Sequence, residues 1–148
     1  MRLTIVTLLW LVLLLTGFYP PASAQSFVGV VKRVDGGATI ERQGESLAVV
    51  RGMQVNRADV IKTDGQGYVG LVFSEDTRLS MGPGTEIVID DYLFEPLEKK
   101  FSFILRLVHG AVSFLSGQMA RLSPESVELV MPAATIGVRG THVLVRVD

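Results

Sequence analysis

Residues 58–91, ADVIKTDGQGYVGLVFSEDTRLSMGPGTEIVIDD, decide the fold of this chain, because short apolar runs alternate there with turn-forming residues. Val69, Leu71 and Phe73 occupy every second position, the spacing that places side chains on one face of a pleated strand. The Gly82-Pro83-Gly84 sequence then supplies a turn before a second alternating run. The segment therefore predicts short strands joined by tight turns.

The same alternation continues outward to both ends of the chain. Turn formers separate the runs at Asp35-Gly36-Gly37, Gln43-Gly44, Asp64 to Gly67, His109-Gly110 and Ser116-Gly117. The pattern gives roughly ten or eleven short strands, which is typical of an all-β sandwich, barrel or solenoid. No segment after Gln25 has sustained helical periodicity, and Pro124 limits the best candidate, residues 118–126, to a loop with one turn.

Two segments are apolar at consecutive positions and are expected to be covered on both faces of the sheet. They are Phe101 to Val108 and Val143 to Val145, the latter centred on Leu144. Arg78 to Met81, in contrast, alternates polar and apolar residues. We expect one face of that strand to be solvated.

The first 24 residues have the pattern of an export signal. Arg2 precedes an apolar run from Leu3 to Phe18, and Ala22-Ser23-Ala24 provides the small residues of a cleavage site before Gln25. A retained membrane anchor is the alternative, but the run is shorter than the roughly 20 residues that a spanning helix needs. The pattern predicts a periplasmic or secreted protein with one all-β domain at residues 25–148.

Composition excludes several classes of protein. The chain has 14 Lys and Arg against 15 Asp and Glu, so it lacks the positive charge of a nucleic-acid-binding domain. Its hydrophobic fraction is 48%, part of which belongs to the export signal. It has no Cys, which excludes disulfides, thiolate metal ligands, a cysteine nucleophile and a cysteine-linked lipid anchor.

The chemistry-bearing residues do not form a recognisable catalytic or metal-binding pattern. His109 and His142 have no partners at ligand spacing, and the nucleophile-elbow motif GxSxG does not occur. The pairs Glu75-Asp76 and Asp90-Asp91 are not spaced as a calcium loop. We therefore predict no catalytic residue, no cofactor and no metal.

Three spaced blocks give the chain a family resemblance. They are RADVIKTDGQGYVGLVF from Arg57, TRLSMGPGTEIVID from Thr77 and PAATIGVRGTH from Pro132. Together they resemble the FecR domain over about residues 28–147. Asp59 falls on the aspartate of the family's first block. Ala58 stands where that block has glycine, and Asp76 where the following turn has glycine.

The resemblance implies a β-solenoid-like stack of short strands and hairpins, with a β-sandwich as the alternative. It also implies a non-enzymatic periplasmic protein that binds a cell-envelope protein in signalling or assembly. Regulators of this kind carry a cytoplasmic segment that controls a sigma factor. Only two residues precede the apolar run here, so no direct sigma-factor contact is expected.

The last of the three blocks, residues 132–142, is called the closing motif below. It supplies the candidate interaction residues Arg139, Thr141 and His142. Gly137 and Gly140 flank the arginine, which could approach a partner's carboxylate closely. The alternative is that the two glycines shape a bend and that Arg139 pairs within the domain.

Two other functions stay open. A cell-wall or polysaccharide-binding module, with peptidoglycan as a ligand, would use aromatic platforms, and the predicted mature chain offers only Tyr68 and Tyr92 as amphipathic rings. An envelope hydrolase is the third possibility.

Overall fold

The computed structural model describes residues 27–140 and 142–148. The predicted signal peptide, Met1 to Ala24, and its cleavage site lie outside these residues. The described part contains a short helix, α1 (Gln118–Leu122), two 3-10 turns (Pro96–Glu98 and Pro124–Ser126), and twelve strands. The strands are β1 (Gly29–Asp35), β2 (Ala38–Arg42), β3 (Glu45–Ala48), β4 (Gln54–Val55), β5 (Val60–Thr63), β6 (Tyr68–Phe73), β7 (Arg78–Met81), β8 (Glu86–Glu95), β9 (Lys100–Leu115), β10 (Val127–Met131), β11 (Ala134–Gly137) and β12 (His142–Val147).

The long strand β9 organises the sheet. Its first half pairs with β8 on one side and with β10 on the other, and its second half pairs with β7 and β12. One half of the sheet therefore has the order β3-β2-β5-β8-β9-β10-β11, and the other has the order β12-β9-β7-β6-β1-β4. The halves fold over one another, since the rings of Phe73 on β6 and Phe103 on β9 lie 4.7 Å apart. The result is one sheet curled into a half-barrel.

The change of neighbours along β9 occurs at Gly110. We expected a turn at His109-Gly110, and this was wrong, because the strand continues to Leu115. Gly110 has a φ of +94°, which bends the strand without reversing it. Thr85 Oγ1 then accepts the N–H of Ala111 (3.0 Å) and donates to its carbonyl (3.2 Å). A side-chain hydroxyl thus satisfies the backbone at the bend.

The all-β class is confirmed, and the alternating residues form the core. Val69, Leu71, Phe73, Ile87 and Ile89 are all at most 1% exposed. The solenoid arrangement is not confirmed. Stacked coils pair parallel strands of successive repeats, whereas the ladders here are antiparallel except between β9 and β10. Residues 118–126 form one helical turn and a 3-10 turn before β10, as expected. No helix in the described part of the chain is long and apolar enough to cross a membrane.

The expectation that Leu144 is covered on both faces of the sheet was wrong. Its side chain is 77% exposed. Among the described residues, β12 pairs only with β9, so it is an edge strand and only its alternate residues, Val143, Val145 and Val147, pack against the core. Phe101 to Val108 is covered more fully, with Phe103, Leu105 and Leu107 at most 1% exposed.

Glycine at residue 58 is expected to stabilise the domain. Ala58 has a φ of +70°, a left-handed conformation that disfavours a side chain, and its N–H donates to Ile89 O (2.8 Å). Ala58→Gly relieves this strain and should raise the free energy of unfolding by about 1 kcal/mol, reduced somewhat by the greater entropy of glycine in the unfolded chain. Urea denaturation measures the change. Asp76 also has a positive φ, of 72°, but its side chain accepts a hydrogen bond from Gln118. Asp76→Gly loses that bond and should therefore raise the free energy of unfolding by less. A lower stability of Ala58→Gly would contradict this explanation.

Candidate functional site

The closing motif forms β11 and the crossover to β12. Val138 anchors this crossover, since it is fully buried and its N–H donates to Val127 O (3.0 Å). Arg139 follows on the surface, and Ser116 Oγ donates to the carbonyl of Gly140. Thr141 lies outside the described residues. His142 begins β12, and its Nε2 lies 2.6 Å from Ser113 Oγ. The motif thus connects the two halves of the sheet, and of the predicted residues Arg139 and His142 are exposed beside that connection.

Arg139 acts on a carboxylate of the same domain. The pKa of Glu125 is lowered, chiefly by a hydrogen bond from Ser123 Oγ (2.6 Å), and also by its own backbone N–H and by the positive charge of Arg139. The choice between a carboxylate of the domain and a carboxylate of a partner as the contact of Arg139 stays a prediction.

The two carboxylate pairs have structural partners. Glu75 is fully buried, and its carboxylate accepts the N–H groups of Thr77 (3.2 Å) and Met119 (2.9 Å). Asp90 accepts a hydrogen bond from Arg106 Nε (2.8 Å), and Asp91 accepts one from Ser102 Oγ (2.7 Å). These carboxylates hold loops and strands in place. Within the described ranges, no cluster of three or more His, Asp or Glu residues could hold a metal ion.

His109 lies beside an open groove of about 550 Å³, which Gly82 to Gly84 and Arg146 to Asp148 also line. Its Nδ1 is 2.8 Å from the carbonyl oxygen of Gly84, and its Nε2 is 3.4 Å from Glu86. Both ring nitrogens therefore contact the β7–β8 turn and the start of β8. His109 helps to fix the bend of β9.

The most exposed apolar side chain belongs to a feature that our sequence analysis missed, the hairpin between β8 and β9. We call residues 93–102 the hairpin tip. Beyond the pair Tyr92 and Phe103, three residue pairs of the tip have no third strand beside them among the described residues, because β10 reaches no further than Phe103. The ribbon therefore extends about 10 Å past its neighbours. The 3-10 turn Pro96–Glu98 closes it and leaves Leu97 fully exposed.

Leu97 is surrounded by apolar and charged side chains. The rings of Phe94 and Phe101 pack across the ribbon at an angle of 45°, with centroids 5.9 Å apart, and Leu93 is 37% exposed. Four charged residues of balanced sign rim the turn: Glu95, Glu98, Lys99 and Lys100. The tip thus presents a large apolar side chain within a charged rim to solvent.

The base of the ribbon is rigid. The ring of Tyr92 packs against Phe73 and Phe103, at centroid distances of 5.7 and 5.1 Å. Its hydroxyl bonds to Ser74 Oγ (2.8 Å) on the opposite half of the sheet. Burial raises the pKa of Tyr92 to about 12, so the hydroxyl stays protonated at neutral pH. Leu97 therefore projects from a fixed support.

These observations define a small all-β domain with one long projecting hairpin and a C-terminal crossover. The model of the FecR protein family matches residues 59–148, more than half of the chain. The chain belongs to the FecR family, which is associated with the cell envelope, and the resemblance drawn from the sequence is confirmed. The matched region starts at Asp59 and includes the hairpin tip and the crossover.

The other comparisons add little. A solved structure described as a cell surface anchoring domain is 21% identical, over 41% of this chain and 82% of that chain, with a TM-score of 0.40. At that TM-score the likeness supports no inference about this protein. No curated protein matches the chain.

Proposed function

We propose that this protein is an exported, non-enzymatic periplasmic FecR-domain protein that binds a protein of the cell envelope, in signalling or assembly, through its hairpin tip. The observation that carries the proposal is the fully exposed Leu97 at the end of the ribbon. Exposing a large apolar side chain to water costs free energy, which an interface recovers by burying it.

A protein partner fits the tip better than a nucleic acid or a membrane. The charges of the four charged residues of the tip sum to zero, and Lys100 Nζ lies 2.9 Å from Glu98 Oε2. A surface that binds phosphates or anionic lipid headgroups needs an excess of positive charge. An apolar anchor between balanced charges suits an apolar pocket with a polar rim on another protein.

Neither tyrosine favours the polysaccharide-binding alternative. Arg33 lies over the ring of Tyr68, 5.0 Å from its centroid, and Tyr92 packs between two phenylalanines. A sugar platform needs an aromatic face open to solvent. Arg33 covers one ring face of Tyr68, and the phenylalanines engage the ring of Tyr92 within the domain.

Replacing Leu97 by lysine should abolish capture of the partner. The mature protein, immobilised and exposed to an extract of envelope proteins, should retain a specific protein that Leu97→Lys retains at least about tenfold less, as expected for the loss of a hot-spot side chain. Quantitative mass spectrometry measures the difference.

Leu122→Lys is the matched control, since it makes the same change at another exposed leucine, which is the last residue of α1. It should capture the partner as the unsubstituted protein does. Equal capture by Leu97→Lys, or no reproducible partner at all, would overturn the proposed function.

A further inference from the structure

The free edge of β12 is the least protected strand edge in the described part of the chain. β12 has six residues in uninterrupted register with β9, and its sequence HVLVRV contains neither proline nor lysine. The other edge strands are shorter, with two residues in β4 and four each in β3 and β11. Natural edges are usually blocked by short length, charged side chains, proline or a bulge. β12 carries one such charge, Arg146, and none of the other devices.

The apolar side chains on both faces of β12 are incompletely buried. Val143, Val145 and Val147 point toward the core but are only partly buried. On the outer face, Leu144 is 77% exposed, beside Leu115 of β9 at 40%. A strand added at this edge would cover both rows and pair the outward backbone groups.

We infer that β12 pairs in antiparallel fashion with β12 of a second copy of this chain, about a two-fold axis that passes through Val145. Directly opposite residues in an antiparallel pair lie on the same face. With this centre, each Val145 lies opposite its counterpart, and Val143 lies opposite Val147 at both ends. All three core-facing valines thus meet valines of the other copy.

The outer face favours the same centre. Leu144 lies opposite the aliphatic stem of Arg146, and His142 lies opposite the carboxylate of the exposed Asp148 at both ends of the pairing. His142 contacts Ser113 Oγ through Nε2, so Nδ1 is the ring nitrogen left for that carboxylate. The imidazole of each copy therefore faces a hydrogen-bond acceptor of the other copy.

A pairing whose two-fold axis passes through the neighbouring residue, Leu144, brings together less favourable contacts. A two-fold axis at Leu144 would place His142 opposite Arg146 at both ends, and Val147 would no longer meet a valine. A half-residue shift, which places the axis between Leu144 and Val145, would set opposite faces against each other, because side chains alternate along a strand. The geometry therefore selects Val145.

Cysteine cross-linking tests the register, because the chain has no cysteine of its own. Opposite residues have Cβ atoms about 4.5–5.5 Å apart, whereas diagonal neighbours lie about 7–8 Å apart. Val145→Cys in the mature protein should give a covalent dimer under mild oxidation. Leu144→Cys, whose counterpart is a diagonal neighbour, should cross-link at least about tenfold more slowly, since disulfides do not span such distances without backbone movement.

Sedimentation equilibrium tests the association without cysteine. The unsubstituted mature protein should be a dimer, and Leu144→Lys should be a monomer, because the new cation faces Arg146 of the other copy. Leu97→Lys should stay dimeric, which separates this pairing from the proposed function of the tip. Faster cross-linking of Leu144→Cys than of Val145→Cys would overturn the register. A monomeric unsubstituted protein would overturn the pairing.

Discussion

Substituting Gly110 by alanine is expected to destabilise the domain strongly. A Cβ at this position would lie 2.5 Å from Thr85 Cα and 2.7 Å from the carbonyl oxygen of Gly84, closer than such atoms approach. The φ of +94° adds strain for any side chain. We expect a loss of about 4 kcal/mol or more, which is a large part of the stability of a small domain.

The large cost follows from the place of Gly110 in the fold. Gly110 lies where β9 passes from one half of the sheet to the other, and a Cβ there would displace Thr85 Oγ1 together with two backbone atoms, Thr85 Cα and Gly84 O. Relieving the clash would break the hydrogen bonds between Thr85 and Ala111. Circular dichroism during urea denaturation measures the loss. Gly65→Ala is the control, since nothing lies within 4 Å of a Cβ there, and it should change stability little. Similar urea midpoints of unfolding for the two variants would show that the bend at Gly110 is not critical for stability.

Replacing Asp59 by alanine should cost about 3 kcal/mol. Asp59 is 1% exposed. Its carboxylate accepts hydrogen bonds from Arg42 Nε (2.8 Å), Arg42 Nη2 (2.6 Å) and the N–H of Asn56 (2.8 Å). These hydrogen bonds raise the pKa of Arg42, as expected for a cation held by its partner. Without Asp59, a partly buried cation and a backbone donor lose their acceptor, and such losses cost about 1–3 kcal/mol each.

A double-mutant cycle separates the pair from its surroundings. Arg42→Ala strands the buried carboxylate, so Arg42→Ala and Asp59→Ala should each destabilise the domain strongly, and the double variant should lose less than the sum. The exposed pair of Arg33 and Asp35 is the control, with side chains 67% and 55% exposed. Its removal should cost under about 1 kcal/mol. Additive losses at Arg42 and Asp59 would contradict a direct interaction between them.

Local patterns predicted much of the fold. The alternation at Val69, Leu71 and Phe73 is a property of one strand, and it correctly predicted which side chains are buried. The continuation of β9 through Gly110 was not predictable in this way. A glycine with positive φ serves equally well in a turn or in a bend, and the hydroxyl of Thr85, which is distant in sequence, decides between them.

The candidate site shows the same limit. Leu144 has apolar neighbours on both sides, as in a fully covered strand, and only the strand order reveals that it lies on an edge. Leu97 was overlooked because a single leucine among charged residues is a weak signal. Its exposure depends on the point at which β10 stops pairing with β9. Proline and paired charges around a lone leucine are the signal that could have marked the tip.

Photo-cross-linking in intact cells tests most directly whether the hairpin tip binds an envelope protein. A photoreactive amino acid replaces Leu97 in one variant and Gln43, in the exposed β2–β3 turn, in another. After irradiation, position 97 should give a discrete adduct with one envelope protein, and position 43 should not. No adduct at position 97, or the same adducts at both positions, would contradict the assignment of the tip as the binding surface.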